Sequence, residues 1–117
     1  MKPEAAFQRA VADYLDVALP ADAVWSAIGH GGGGKVRGAQ LKGMGVRPGV
    51  PDLFVCHGGR VLFIELKAAK GRVSPAQTAF HAALQRAGIR TAVCKDLGGV
   101  CMALAVAGIP MRARLAA

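Results

Sequence analysis

Residues 49–67 read GVPDLFVCHGGRVLFIELK, and the fold turns on how this stretch is read. Two apolar, β-prone runs, 52–57 and 60–67, flank Gly58-Gly59. A Gly-Gly pair between such runs predicts a hairpin, because a type I′ turn needs positive φ at both central residues. With the two glycines as the loop, His57 faces Arg60 and, counting back along the strands, Asp52 faces Glu65. Opposed side chains in a sheet have Cβ atoms roughly 4.5–5.5 Å apart, and like charges at that spacing repel. Lys67 lies two residues past Glu65 and therefore on the same face. Two carboxylates and an ammonium converge at the open end of an otherwise oily hairpin.

The plain structural account is an ion-paired hairpin base in which Lys67 neutralises one acid. Two features argue for more. The chain has seven acidic residues in all, so spending two on one spot is notable. The residues between them are nearly all apolar, which predicts a buried hairpin where unpaired charge is costly. A hard divalent cation resolves the conflict. Mg²⁺ prefers carboxylate oxygens and keeps several waters, leaving room for phosphate oxygens. An activated water beside Lys67 would be aimed at a phosphodiester.

These residues also carry a family likeness. Pro51-Asp52 followed by Glu65-Leu66-Lys67 resembles the PD-(D/E)xK nuclease pattern. The wider text is Gly49-Val50-Pro51-Asp52-Leu53, then Ile64-Glu65-Leu66-Lys67, then Ser74-Pro75-Ala76-Gln77. It resembles the VRR-NUC family, in particular its small stand-alone members from phages and bacteria, over residues 4 to about 107. The resemblance implies an α/β fold: a minimal restriction-endonuclease-like core, a small mixed sheet with a central β-hairpin flanked by helices. It implies a DNA endonuclease that hydrolyses phosphodiester bonds with Mg²⁺ or Mn²⁺. The catalytic set would be Asp52, Glu65, Lys67 and Gln77. The metal set would be Glu4, Asp52, Glu65 and the backbone carbonyl of Leu66. Proteins of this kind resemble junction resolvases in size and tend towards dimers, so a homodimer acting on branched rather than plain duplex DNA is expected. The competing class is a non-catalytic basic DNA-binding or assembly module whose acids only form salt bridges.

Composition agrees with a nucleic-acid partner. Fifteen Lys and Arg against seven Asp and Glu give a net charge of +8, which favours a polyanion. At 117 residues a single domain spanning 1–117 is expected, with a modest core. No run of eighteen apolar residues is present, so no membrane span is predicted. The first residues have no apolar secretory core, and Cys56, Cys94 and Cys101 are odd in number and lack metal-type spacing. They read as reduced thiols in a cytoplasmic protein.

The flanking segments fall into place around the hairpin. Pro3 to Leu19 predicts a first helix, with Phe7, Val11, Tyr14, Leu15 and Ala18 on its apolar side. Glu4 projects from that side; on the residues alone it complements the helix dipole, and only the resemblance makes it a third carboxylate. Asp13 and Asp16 are expected on the solvated side. Residues 23–28 predict a short strand leading to Gly31–Gly34, a connection without the Lys-Ser/Thr pair of a P-loop. No acid occurs between Asp22 and Asp52, while Lys35, Arg37, Lys42 and Arg47 do. A solvated basic face is the alternative; with the acid pair just downstream, a DNA-backbone contact surface is the reading adopted. Lys70 and Arg72, in the loop after Lys67, join that set, and Arg112 and Arg114 offer a further contact. Residues 39–44 predict one or two helical turns.

Ser74, Pro75 and Gln77 form a capping box that opens the second main helix, which explains Gln77 structurally. The resemblance adds a role near the acids. Phe80, Ala83, Leu84 and Ala87 are expected inward, with Gly88 as the stop. His81 lies one turn beyond Gln77 and reads as packing, not as a ligand. Residues 89–94 predict a strand that a helical crossover places beside 60–67. Residues 100–107, rich in alanine, read as a helix in preference to a strand.

Overall fold

The structure, a computed structural model, describes residues 3–29 and 34–112, and the side chains of these except for residues 34–37. The elements in chain order are α1 (Pro3–Ala18), β1 (Val24–Ala27), α2 (Gly34–Gly43), β2 (Leu53–His57), β3 (Arg60–Leu66), α3 (Pro75–Arg86), β4 (Arg90–Cys94) and α4 (Leu97–Val106). The expected hairpin is β2–β3. Gly58 and Gly59 take φ of 57° and 78°, as a type I′ turn requires. The register pairs His57 with Arg60 and Leu53 with Ile64. The Asp52 amide also donates to the carbonyl of Ile64, the partner of Leu53, at 3.1 Å, so two residues of one strand meet one of the other and the regular ladder ends there.

The four strands lie in sequence order, β1-β2-β3-β4. β1 and β2 are antiparallel to their successors, whereas β3 and β4 are parallel, joined through α3. A parallel pair cannot be closed by a tight turn, so the crossover helix is a necessity of the topology. The fold is therefore the mixed α/β sheet with a central hairpin and flanking helices anticipated above.

Alternation divides the sheet into two unlike faces. Leu53, Val55, Leu62 and Ile64 point to one side and are buried with Val11 and Leu15 of α1 and Val100 and Leu104 of α4. Burial of each such side chain contributes about 1.5–3 kcal/mol, so this face holds the molecule together. Phe54, Phe63 and Glu65 point to the other side. Here α3 approaches, and the Phe54 and Phe63 rings meet with centroids 6.3 Å apart.

Several local expectations are corrected. α2 begins at Gly34, not near Ala39, and ends where Gly45, at φ 99°, lets the Val46 amide reach back to the Leu41 carbonyl. α4 begins at Leu97, not at residue 100: Asp96 caps it by accepting from the Gly99 amide at 2.7 Å, so Gly98 and Gly99 lie in its first turn. Asp16 is exposed but accepts from the Trp25 indole N–H at 2.9 Å, tying α1 to β1. On α3 the buried residue is His81, while Ala83 and Ala87 are exposed and Phe80 and Leu84 half-buried. The helix turns a polar line, Gln77, His81 and Gln85, toward the sheet because its partners there, Glu65 and Thr91, are polar. The glycine run from Gly31 to Gly33, and Arg114, lie outside the described residues.

Candidate active site

The open end of the hairpin assembles side chains from four segments. Asp52, just before β2, anchors its Oδ2 on the Leu66 amide, which donates at 2.6 Å. Glu65, near the end of β3, is buried; its Oε2 accepts from Gln77 Nε2 at 3.0 Å. Lys67 follows, its own amide bonded to the Cys94 carbonyl at 3.0 Å. Its Nζ stands between two acids, 3.7 Å from Glu65 Oε2 and 3.8 Å from Glu4 Oε1. Glu4 arrives from the first turn of α1, half-exposed. These residues, with Gln8 and Leu66, line a cleft of about 340 Å³.

Gln77 does two things at once. Its Oε1 accepts from the Ser74 amide while the Ser74 hydroxyl accepts from the Gln77 amide, closing the capping box. Its Nε2 is thereby aimed at Glu65. The cap fixes the rotamer that serves the acid. Gly49 helps to hold this helix end: at φ 85°, a Cβ placed on it would fall 2.2 Å from the Ala76 carbonyl oxygen. Only glycine fits such an approach.

The electrostatics are lopsided. Burial, followed by the hydrogen bond and charge of Asp52, pushes the Glu65 carboxyl up from 4.5 to about 8, against the pull of Lys67. Burial also lowers the His81 imidazole, with the Asp52 charge opposing it. At neutral pH, then, the His81–Glu65 contact at 3.8 Å is a carboxylic acid beside a neutral ring, not an ion pair. Glu65 Oε1 and His81 Nε2 are the buried side-chain atoms without a hydrogen-bond partner among the described residues.

A carboxylate pair with one buried member suits a hard divalent cation, which would favour the charged form of Glu65. The donor set is all oxygen, which fits Mg²⁺ or Mn²⁺ rather than a thiolate metal. Among the described residues no three His, Cys, Asp or Glu side chains converge as a ready-made cage. Two carboxylates are the usual complement for Mg²⁺, which keeps waters for the rest. Lys67 Nζ lies between Glu4 and Glu65, so Glu4 lines the same cleft while paired with the ammonium.

The expected DNA contacts are distributed unevenly. Lys42 and Arg47 line a second cavity, of about 500 Å³, that shares Asp52 and Gln77 with the cleft. Lys70 and Arg72 are exposed on the loop between β3 and α3. The side chains of Lys35 and Arg37 lie outside the described residues. His57 is at the opposite end of the hairpin, paired with Asp22 at 3.0 Å. The residue that sequence reasoning set aside is His81. The signal was its spacing: four residues after Gln77, it lies on the same helix face.

Hairpin, crossover helix and an acid pair with buried Glu65 together define a nuclease-like α/β domain. The model of the VRR-NUC domain family matches residues 32–96, more than half of the chain, and the chain belongs to that family, which is a family of nucleases. The matched span runs from α2 to β4 and includes Asp52, Glu65, Lys67, Gln77 and His81, but not Glu4. A solved structure described as a VRR_NUC domain protein is 21% identical, with a TM-score of 0.67 over 91% of this chain and 88% of that one. At that identity it shows a shared fold. No curated protein matches the chain. Among the described residues no helix is long and apolar enough to cross a membrane.

Proposed function

We propose that the protein is a DNA endonuclease dependent on Mg²⁺ or Mn²⁺, hydrolysing phosphodiester bonds with a preference for branched DNA. The observation that carries this is Glu65: buried, facing Asp52, with one oxygen unpartnered and the Lys67 ammonium 3.7 Å from the other. Asp52 and Glu65 would hold the cation, with Glu4 and the Leu66 carbonyl as further ligands. A bound divalent ion supplies positive charge that polarises the phosphate and acidifies water. The chain supplies the rest. The Leu66 amide orients Asp52, and Gln77 orients Glu65. Lys67, held between Glu4 and Glu65, presents its ammonium where charge develops on the phosphate in the transition state. Lys42 and Arg47, which line the neighbouring cavity, would contact the DNA backbone, and Lys35, Arg37, Lys70 and Arg72 are proposed for the same role. Such contacts give affinity and position without base readout, which suits recognition by shape.

A homodimer completes the proposal, since two sites would cut two strands. Its support is the second sheet face beyond α3. There Val24 is 60% exposed beside half-buried Phe54 and Cys56, an apolar surface suited to a second copy.

The test is cleavage of labelled four-way-junction, flap and linear duplex DNA with Mg²⁺, Mn²⁺ or EDTA, wild type beside Asp52→Ala. Metal-dependent cutting that the substitution abolishes is expected, fastest on a branched substrate. Equal rates on all three substrates would remove the structural preference. Binding without cutting, indifferent to metal, would favour the non-catalytic DNA-binding module. Light scattering checks the dimer, and a monomeric mass at working concentration would remove it.

A further inference from the structure

The two partnerless buried atoms face each other. Glu65 Oε1 and His81 Nε2 lie 3.8 Å apart, both residues more than nine-tenths buried. Buried polar groups are nearly always paired, and two adjacent exceptions call for a reason. The gap is about 1 Å longer than a hydrogen bond. It closes with a small turn of either side chain, with the ring proton on Nε2.

The other Glu65 oxygen is already held by Gln77. Gln77 and His81 are four residues apart on α3, on the same face of the helix. Lys67 adds its ammonium on the Oε2 side. The carboxylate thus has a donor in place at one oxygen and a second donor waiting at the other.

We infer that His81 is a positioning residue for the metal site: His81 Nε2 donates to Oε1 and, with Gln77 on Oε2, fixes the plane of the carboxylate that would hold the cation. This rests on the metal reading above. His81 touches neither metal nor substrate; it acts through Glu65. Metal ligands are commonly oriented this way, and losing such a partner lowers metal affinity roughly 10- to 100-fold.

The experiment is calorimetric titration of the DNA-free protein with Mn²⁺, for wild type, His81→Leu and His81→Gln, with melting curves alongside. Leucine keeps the bulk and removes the donor; glutamine places an amide N–H near the position of Nε2. The inference expects His81→Leu to weaken Mn²⁺ binding about 10-fold or more and His81→Gln to recover to within about 3-fold of wild type. Wild-type affinity in the leucine variant, or equal weakening in both, overturns it. If His81→Leu does not fold, His81→Gln against His81→Asn decides, because asparagine is too short to reach Oε1; equal affinities for these two overturn the inference. Failure of the underlying reading looks different: wild-type protein that binds no Mn²⁺ removes the metal site itself, and the role of His81 with it.

Discussion

The two ends of the β2–β3 hairpin are built from similar parts and do different things. Each has a glycine at positive φ, a histidine and a carboxylate. At the turn, Gly58 has open space around it, and His57 meets Asp22 at 3.0 Å with the aspartate 78% exposed. At the base, Gly49 is pressed on α3, and His81 stands 3.8 Å from a Glu65 that is 2% exposed. The better-formed pair is the less consequential one. Water can serve His57 and Asp22 whether or not they meet, so their pair contributes at most about 1 kcal/mol. At the base there is no water to fall back on, and the same chemistry becomes a shifted acid with an oxygen to offer. Burial, not residue type, separates a surface contact from a site.

The largest expected effect breaks the comparison at its chemistry. Glu65→Gln or Lys67→Ala should lower DNA cleavage by about 10²–10³-fold or more while DNA binding persists. Asp22→Asn and His57→Ala should cleave like wild type. Comparable losses at both ends, in the same cleavage assay, would mean that the hairpin base has no special role.

Next comes the backbone. Gly49→Ala places a Cβ against the Ala76 carbonyl at an unsuitable φ and should cost more than about 1 kcal/mol, roughly 4 °C or more in Tm. Gly58→Asn has room and a side chain that tolerates the left-handed region, so it should stay within about 0.5 kcal/mol. Thermal melts of both variants decide this; a tolerated alanine at Gly49 would show that α3 is not seated as described.

A further effect is carried by pH. The folded, metal-free protein keeps the Glu65 proton up to about pH 8, whereas the unfolded chain releases it near 4.5. Between those values the folded state binds the additional proton, so this group's contribution to stability falls as pH rises and levels off above about 8. Melting curves without metal should show wild type losing Tm across that window relative to Glu65→Gln. Parallel profiles would place the carboxyl at an ordinary value. Divalent cation, which favours the charged form, should offset the loss at the alkaline end.

The smallest effect belongs to the turn. Asp22→Asn should change stability by less than about 0.5 kcal/mol, as judged by melting at low and moderate salt. A larger change would mean that the exposed pair is structural after all.

Much of this was legible in the chain because hairpin geometry is local. Two glycines between β-prone runs determine the register, and that brings Asp52, Glu65 and Lys67 to the same end of the hairpin. Ser74, Pro75 and Gln77 announced a helix start through backbone needs that arise within four residues. The alanine-rich end was read as a helix for similarly local reasons. The start of this helix lies three residues before the expected residue 100, because Asp96 caps it and outweighs the poor helix propensity of Gly98-Gly99.

What the sequence left undecided is the half of the site that comes from elsewhere in the fold. Periodicity assigned the inward face of α3 to its apolar residues, since burial usually follows hydrophobicity. The crossover instead sets the helix over the polar end of β3, so Gln77 and His81 turn inward to Glu65. That choice depends on where a parallel strand lands, and no local preference encodes it. The same holds for the shifted Glu65 acid: Asp52, at the same end of the hairpin, is one cause, but burial is the larger. By itself the sequence determined which charges meet. Tertiary structure decided that they meet away from water, and the low dielectric there is what turns an acid pair into a candidate catalytic centre.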